Sequence, residues 1–239
     1  MLCGILPLYK PAGPSSNDVL RRISRWINVR SLGHSGTLDP AAEGLLVSAV
    51  DRATPVLAFL PGDKAYRARI TLGRTTDTWD AKGQVLTENP VPALSEAEVA
   101  HHLESFAGVI QQTPPPFSAL WHEGKRLYDL ARQGRPVQKP PREVTIYQLR
   151  LVSYRAPEAE VDLHCSAGTY VRSLAMELGA ALGCGAHLSH LVRTACSGFA
   201  LKDAVTLETL EAEGPSCDWL RHVISPAQAL AHLPAVEVN

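Results

Sequence analysis

Residues 33–40 read Gly-His-Ser-Gly-Thr-Leu-Asp-Pro and put an imidazole, His34, and a carboxylate, Asp39, in one short segment. Two glycines three apart leave the backbone free to turn tightly and to let a ligand approach closely, so a loop is expected here. Pro40 stiffens the exit beyond the carboxylate. From the residues alone, this is a rigid loop presenting an acid. A Gly-x-x-Gly loop also clamps nucleic-acid backbone in some RNA-binding modules, a weak signal taken by itself. It is not a Walker loop, because no Lys-Ser/Thr follows. The plainer possibility is a structural turn in which Asp39 caps the next segment.

A second set of chemically capable residues is Cys184-x-x-His187-x-x-His190, whose spacing could place two metal ligands on one helical face. No fourth ligand is evident, so structural histidines are the expectation and no metal is assigned. Cys3, Cys165, Cys184, Cys196 and Cys217 are odd in number and include no Cys-x-x-Cys pair. They read as reduced thiols of a cytoplasmic protein.

The elements that must position these groups are legible in part. Ser16-Asn17 offers N-cap oxygens, and Val19, Leu20, Ile23, Trp26 and Ile27 follow at helical spacing with Arg21, Arg22 and Arg25 on the wetter side. Ser95-x-x-Glu98 is a capping box with Val99, Leu103 and Phe106 as one stripe behind it. Tyr66, Ala68, Ile70 and Leu72 alternate with Arg67, Arg69 and Thr71, a half-buried strand. Val161, Leu163 and Cys165 alternate likewise, and a helix is expected from near Arg172 with Leu174, Leu178, Ala181 and Leu182 inward. Prolines at 114–116 and 140–141 mark connectors. Strands and helices intersperse without regular alternation, which reads as an α+β fold with a mixed sheet.

The chain has 239 residues, 45% hydrophobic and 20% charged, enough for one large domain or two small ones. No apolar run is long enough for a membrane helix, and Met1–Leu8 lacks the basic residue of a leader. Net charge near zero hides an uneven distribution. Residues 1–35 carry Lys10, Arg21, Arg22, Arg25 and Arg30 against Asp18 alone; residues 121–150 are also basic, and residues 201–239 acidic. One polyanion-facing side, or ordinary solvated charge, would each fit.

Several further segments carry a resemblance. They are Lys10-Pro11-x-Gly13-x-Ser15-Ser16; Asp63-Lys64-Ala-Tyr66; Leu72-Gly73-x-x-Thr76-Asp77-Thr78-x-Asp80-x-x-Gly83; Gln112-Thr113-Pro114-Pro115 through Ser118-Ala119-Leu120 and Gly124–Tyr128; Cys165-Ser166-x-Gly168-Thr169-Tyr170-Val171-Arg172-Ser173-Leu174; and Leu191-Val-Arg193. With the 33–40 motif, and in this order, they resemble the TruB family of tRNA pseudouridine synthases over roughly residues 4–210.

The resemblance implies a pseudouridine synthase fold: a central mixed, mostly antiparallel sheet flanked by helices, with the catalytic cleft across it. It implies isomerisation of a T-loop uridine (position 55) of tRNA, without cofactor or metal, after the base is flipped out. Asp39 would be the catalytic nucleophile, attacking ribose C1′ or uracil C6, and Arg172 its ion-pair partner. Tyr66 would stack on the target base, Tyr170 would contact the base or hold Arg172, Leu191 would pack beneath the uracil, and His34 would support the flipped-out nucleotide. The implied partner is the tRNA T-arm, gripped by an inserted segment around 70–115, with no membrane, no obligate protein partner and a monomeric state. The chain departs from the pattern at Trp121, where the family usually has lysine, and at Tyr9, which replaces the aspartate of Asp-Lys-Pro. It is expected to be one catalytic domain over 1–239, ending where relatives continue into a PUA-like C-terminal domain. An RNA-binding or RNA-folding protein that retains the cleft is the alternative of a different class.

Overall fold

In the computed structural model, residues 3–234 are described. The chain runs through β1 (Cys3–Lys10), α1 (Ser16–Trp26), β2 (Leu32–His34), β3 (Glu43–Asp51), β4 (Lys64–Leu72), β5 (Arg74–Thr76), β6 (Val85–Glu88), α2 (Glu96–Glu104) and β7 (Gly108–Gln112). It continues through β8 (Trp121–His122), β9 (Lys125–Arg126), α3 (Leu127–Arg132), β10 (Arg142–Arg155), β11 (Glu158–Cys165), α4 (Val171–Ala181), β12 (Ala186–Cys196), β13 (Phe199–Ala200) and α5 (Leu207–Glu213). It forms two compact units, Met1–Ala65 with Val192–Asn239, and Tyr66–Leu191. Both junctions fall inside strands, β4 and β12, so no linker composition marks them.

In the first unit β3 is central. β1 lies antiparallel along one edge, from Cys3↔Asp51 to Lys10↔Gly44. The other edge is shared: β2 pairs antiparallel with residues 48–50, and β12 runs parallel at Val192↔Glu43 and Arg193↔Gly44. The sheet is therefore mixed and mostly antiparallel, as expected. Its buried residues split by the two-residue period. Leu6, Leu8, Leu46 and Val50 pack on α1 and α5, while Ile5, Leu45, Val47 and Ala49 face the opposite side. α1 buries Val19, Leu20 and Ile23 and leaves Arg21, Arg22 and Arg25 exposed, as its periodicity predicts. Its cap is Ser15, one residue earlier than expected: the Ser15 hydroxyl accepts from the Asp18 amide, and the Asp18 carboxylate returns the bond. Ser16 is thereby released for another use.

At Gly44, paired with Arg193, β3 leaves no room for a side chain against β12. The glycine sits at φ +105°, and a Cβ there would lie 2.5 Å from the Arg193 carbonyl oxygen. Gly44→Ala must strain the backbone and push the parallel pair apart, at a cost of about 3 kcal/mol. Urea unfolding should show a clearly lowered midpoint; an unchanged midpoint would contradict this packing.

In the second unit β4, β11, β10 and β7 are adjacent in that order. β10 pairs antiparallel with both β11 and β7. The alternation read along β4 and β11 holds: Tyr66, Ala68, Ile70 and Leu72, and Val161, Leu163 and Cys165, are buried. α2 starts at the predicted capping box, with Val99 and Leu103 buried, and lies against β10. α4 begins at Val171 and buries Leu174 and Leu178, but Ala181, expected inward, is exposed in the last turn. Residues 186–196 form a strand, so the helical spacing considered for Cys184, His187 and His190 does not apply. On a strand, positions three apart face opposite sides. His187 is buried with Nδ1 3.1 Å from the Arg74 carbonyl oxygen, whereas His190 is exposed. Among the described residues no helix is long and apolar enough to cross a membrane.

Candidate active site

The segment carrying Asp39 begins as sheet. Gly33 and His34 belong to β2, opposite Ala49 and Ser48, and the Ser35 amide still donates to Val47 at 3.0 Å. The loop starts only where β2 gives way to β12 along the edge of β3. The first glycine therefore does not serve a turn, as the sequence reading had it. It serves space, since a Cβ at Gly33 would come within 2.9 Å of the Thr54 methyl.

Asp39, half-buried, is held by its neighbours' backbone. The Ser16 hydroxyl accepts from the Leu38 amide (3.0 Å) and donates to the Leu38 carbonyl (3.1 Å), both buried. On the other side, the Gly13 amide donates to the Pro40 carbonyl at 2.7 Å, and the Ala42 amide donates to Asp39 itself at 3.0 Å. The fully buried Lys10 ammonium donates to the carbonyls of Ala42 (2.6 Å), Pro11 (3.0 Å) and Pro40 (3.3 Å). The Lys10–Ser16 motif is thus physically a clamp on residues 38–42. Its members were visible in sequence only as a motif, because each bond joins positions 22 to 32 apart.

A second buried cation completes this floor. Arg193, fully buried on β12, donates through Nε to Leu45 (2.7 Å) and through Nη2 to Gly36 (3.1 Å). Its Nη1 is buried without a hydrogen-bond partner, as is His34 Nδ1. Burial, and then the Arg193 charge, holds the His34 imidazole below its ordinary range, so it is neutral at pH 7. Tyr9, the departure from the family pattern, donates its hydroxyl to the Glu43 carboxylate at 3.0 Å.

Lys10 carries a pH signature. Burial lowers its pKa to about 8, the charges of Asp39 and Glu43 pulling it back up and that of Arg193 adding to the drop. Between pH 8 and about 10.5 the folded Lys10 sheds its proton while the unfolded one keeps it. The unfolded state then binds more protons, so this group's contribution to stability rises across that window, by about 3 kcal/mol, and is flat on either side. The check is the unfolding free energy of wild type minus that of Lys10→Met, followed from pH 7 to 10.5. A constant difference would contradict the burial.

The second unit holds the other expected residues. Tyr66 is buried on β4. Arg172, in the first turn of α4 and buried, donates to the carbonyls of Phe117 (3.0 Å) and Thr78 (3.2 Å), with Asp80 Oδ2 3.8 Å away. Asp80 in turn accepts from the Thr78 hydroxyl (2.8 Å) and the Lys82 amide (2.9 Å). The Thr76–Gly83 motif is therefore a self-bonded turn that presents a carbonyl and a carboxylate to the guanidinium, a role for Asp80 that the spacing did not reveal. Tyr170 caps α4; its amide donates to Gln112 Oε1 at 2.7 Å, and the Arg142 guanidinium lies 4.9 Å from its ring centroid. The Ser173 hydroxyl donates to Thr113 at 2.6 Å, so the Gln112–Ser118 motif secures the start of this helix. Leu191 is half-buried on β12. Asp39 and His34 thus share the first unit with Lys10 and Arg193, while Tyr66, Tyr170, Arg172 and Leu191 belong to the second.

Comparison with known proteins gives concordant matches. Residues 24–171 match the N-terminal domain of the TruB family pseudouridylate synthases, and residues 172–231 match the tRNA pseudouridylate synthase B C-terminal domain. The chain is 44% identical over 240 residues to a tRNA pseudouridine synthase B of Heliobacterium modesticaldum, covering 99% of this chain and 77% of that protein. It is 46% identical to that of Symbiobacterium thermophilum, with 99% and 78% covered. Among solved structures, a chain of a Cbf5-Nop10-Gar1 complex superposes with a TM-score of 0.75 at 28% identity. That match covers 97% of this chain and 62% of the other.

Proposed function

We propose that this chain, which belongs to the TruB family of pseudouridylate synthases, isomerises the T-loop uridine at position 55 of tRNA, with Asp39 as its nucleophile. The observation that carries the reading is the double clamp on Leu38 and Pro40, which fixes the backbone on both sides of one carboxylate. The ionised carboxylate attacks ribose C1′ or uracil C6. The N1–C1′ bond breaks, the uracil turns, a C5–C1′ bond forms, the carboxylate is released from the carbon it attacked, C5 gives its hydrogen to water as a proton and N1 takes up a proton. The product is an isomer of the substrate, so the reaction needs no redox partner.

The uridine must be extracted first, at a cost of a few kcal/mol that contacts elsewhere on the RNA offset. Tyr66, Tyr170, Arg172 and Leu191 receive the base, and neutral His34 supports the displaced nucleotide. The segment around 70–115 grips the T-arm. The enzyme works in the cytoplasm as a monomer. Identity near 45% to proteins named tRNA pseudouridine synthase B, against 28% to a chain of the Cbf5-Nop10-Gar1 complex, supports tRNA as the substrate.

The test is tritium release from an unmodified tRNA transcript labelled at uridine C5, with the product position mapped. Release stoichiometric with one T-loop uridine is expected. Tight binding of the transcript with no release would overturn the synthase reading and favour an RNA-binding role.

A further inference from the structure

The hairpin formed by β8 and β9 is a two-residue-turn ribbon, with Trp121↔Arg126 and His122↔Lys125 paired across Glu123 and Gly124. Both turn residues are left-handed (φ 48° and 77°), the geometry that matches the twist of a short hairpin. Its root is tied down: the Leu127 amide donates to Leu120 (2.9 Å), the Tyr128 amide donates to Ser118 (3.1 Å), and Leu127 and Leu130 of α3 are buried. On this anchored ribbon Trp121 is 58% exposed, whereas Trp219 is buried and Trp26 and Trp79 are half-buried.

The exposed indole is not a loose side chain. The Arg126 guanidinium carbon lies 4.0 Å from its ring centroid, and the same guanidinium donates to the Ala119 carbonyl. One contact holds the cation; the cation then steadies the ring. Arg132 stands 5.6 Å from the exposed Tyr128 ring, and Lys139 Nζ is 3.1 Å from His122 Nδ1. Residues 119–139 thus carry Lys125, Arg126, Arg132, Arg135 and Lys139 against Glu123 and Asp129.

An apolar protein partner would need a broader greasy patch around the indole, and its hairpin neighbours Arg126, His122 and Lys125 are charged or polar. A flat π-system attached to a polyanion is the ligand that fits: its plane stacks on the indole while the surrounding cations take its phosphates. We infer that Trp121 and Arg126 form a stacking platform for an unpaired nucleobase of the RNA substrate, outside the residues that receive the reacting uridine. This rests on the reading that the substrate is RNA. Lysine, usual at this position in the family, could contact phosphate but could not stack.

Equilibrium binding of an unmodified tRNA transcript to wild type, Trp121→Ala, Trp121→Phe and Trp121→Lys tests it, together with tryptophan emission of wild type minus Trp121→Phe. Trp121→Ala should weaken binding about 5- to 150-fold. Trp121→Phe should stay within about 3-fold, having kept an aromatic face, and Trp121→Lys should remain weak, with a steeper salt dependence. The emission difference should be quenched by a short unstructured RNA but not by an abasic oligomer of equal length. Binding by Trp121→Ala or Trp121→Lys equal to wild type, or equal quenching by the abasic oligomer, would overturn the platform. If quenching holds while tritium is never released, the platform stands and the synthase reading fails. A wild type that binds no tRNA overturns both.

Discussion

Asp39→Asn is expected to bind unmodified tRNA within a few-fold of wild type and to release tritium from uridine C5 roughly 10⁴-fold more slowly or not at all. The two halves of this expectation have different origins. Binding survives because the clamp on residues 38–42 takes hold of main chain: Ser16 on Leu38, Gly13 and Lys10 on Pro40, and Lys10 on Ala42. None of those bonds uses the Asp39 side chain. Chemistry fails because an amide of nearly the same shape has no anionic oxygen to offer C1′ or C6. Single-turnover tritium release beside filter binding separates the two. A variant releasing tritium within tenfold of wild type would remove Asp39 from the nucleophile's role. Loss of both binding and fold would show instead that the carboxylate is structural.

What could be read from the chain depended on how local the physics is. The stripe of α1, the capping box of α2 and the alternations of β4 and β11 each repeat within a dozen residues, and each holds in three dimensions. Gly33 was misread because glycine carries no side chain to alternate, so a strand residue looks like a loop residue. His187 and His190 were weighed as a helical pair because their spacing alone does not say which period applies. The clamp was invisible from composition for a different reason. Lys10 and Arg193 are fully buried, the reverse of what a lone cation suggests. Their one local signal was position: Lys10 closes the run Leu6–Tyr9 and Arg193 directly follows Leu191-Val192, where a charge needs buried acceptors. Which carbonyls would serve, 32 and 148 residues away, only the fold could say.

Arg193 therefore yields the largest stability effect. It is a fully desolvated guanidinium that bridges β12 to the Leu45 carbonyl on β3 and to the Gly36 carbonyl in the motif loop. Arg193→Met preserves length and apolar volume but takes from both carbonyls the charged donor they have in Arg193. Leaving two buried acceptors short of that donor costs about 2–6 kcal/mol, a fall in melting temperature of roughly 4–24 °C for a chain of this size. Arg193→Lys keeps the charge but not the fork, cannot reach both carbonyls in the same geometry, and should fall between the two. A readout independent of stability accompanies it. Burial holds the His34 imidazole down first and Arg193 second, so Arg193→Met should move the titration of His34, assigned by His34→Gln, to higher pH, while Arg193→Lys leaves it nearly in place. If His34 titrates identically in all three proteins, the two side chains are not coupled. If Arg193→Met melts with wild type, the carbonyls of Gly36 and Leu45 find other donors, and the loop that carries Asp39 owes its position to the Lys10–Ser16 clamp alone.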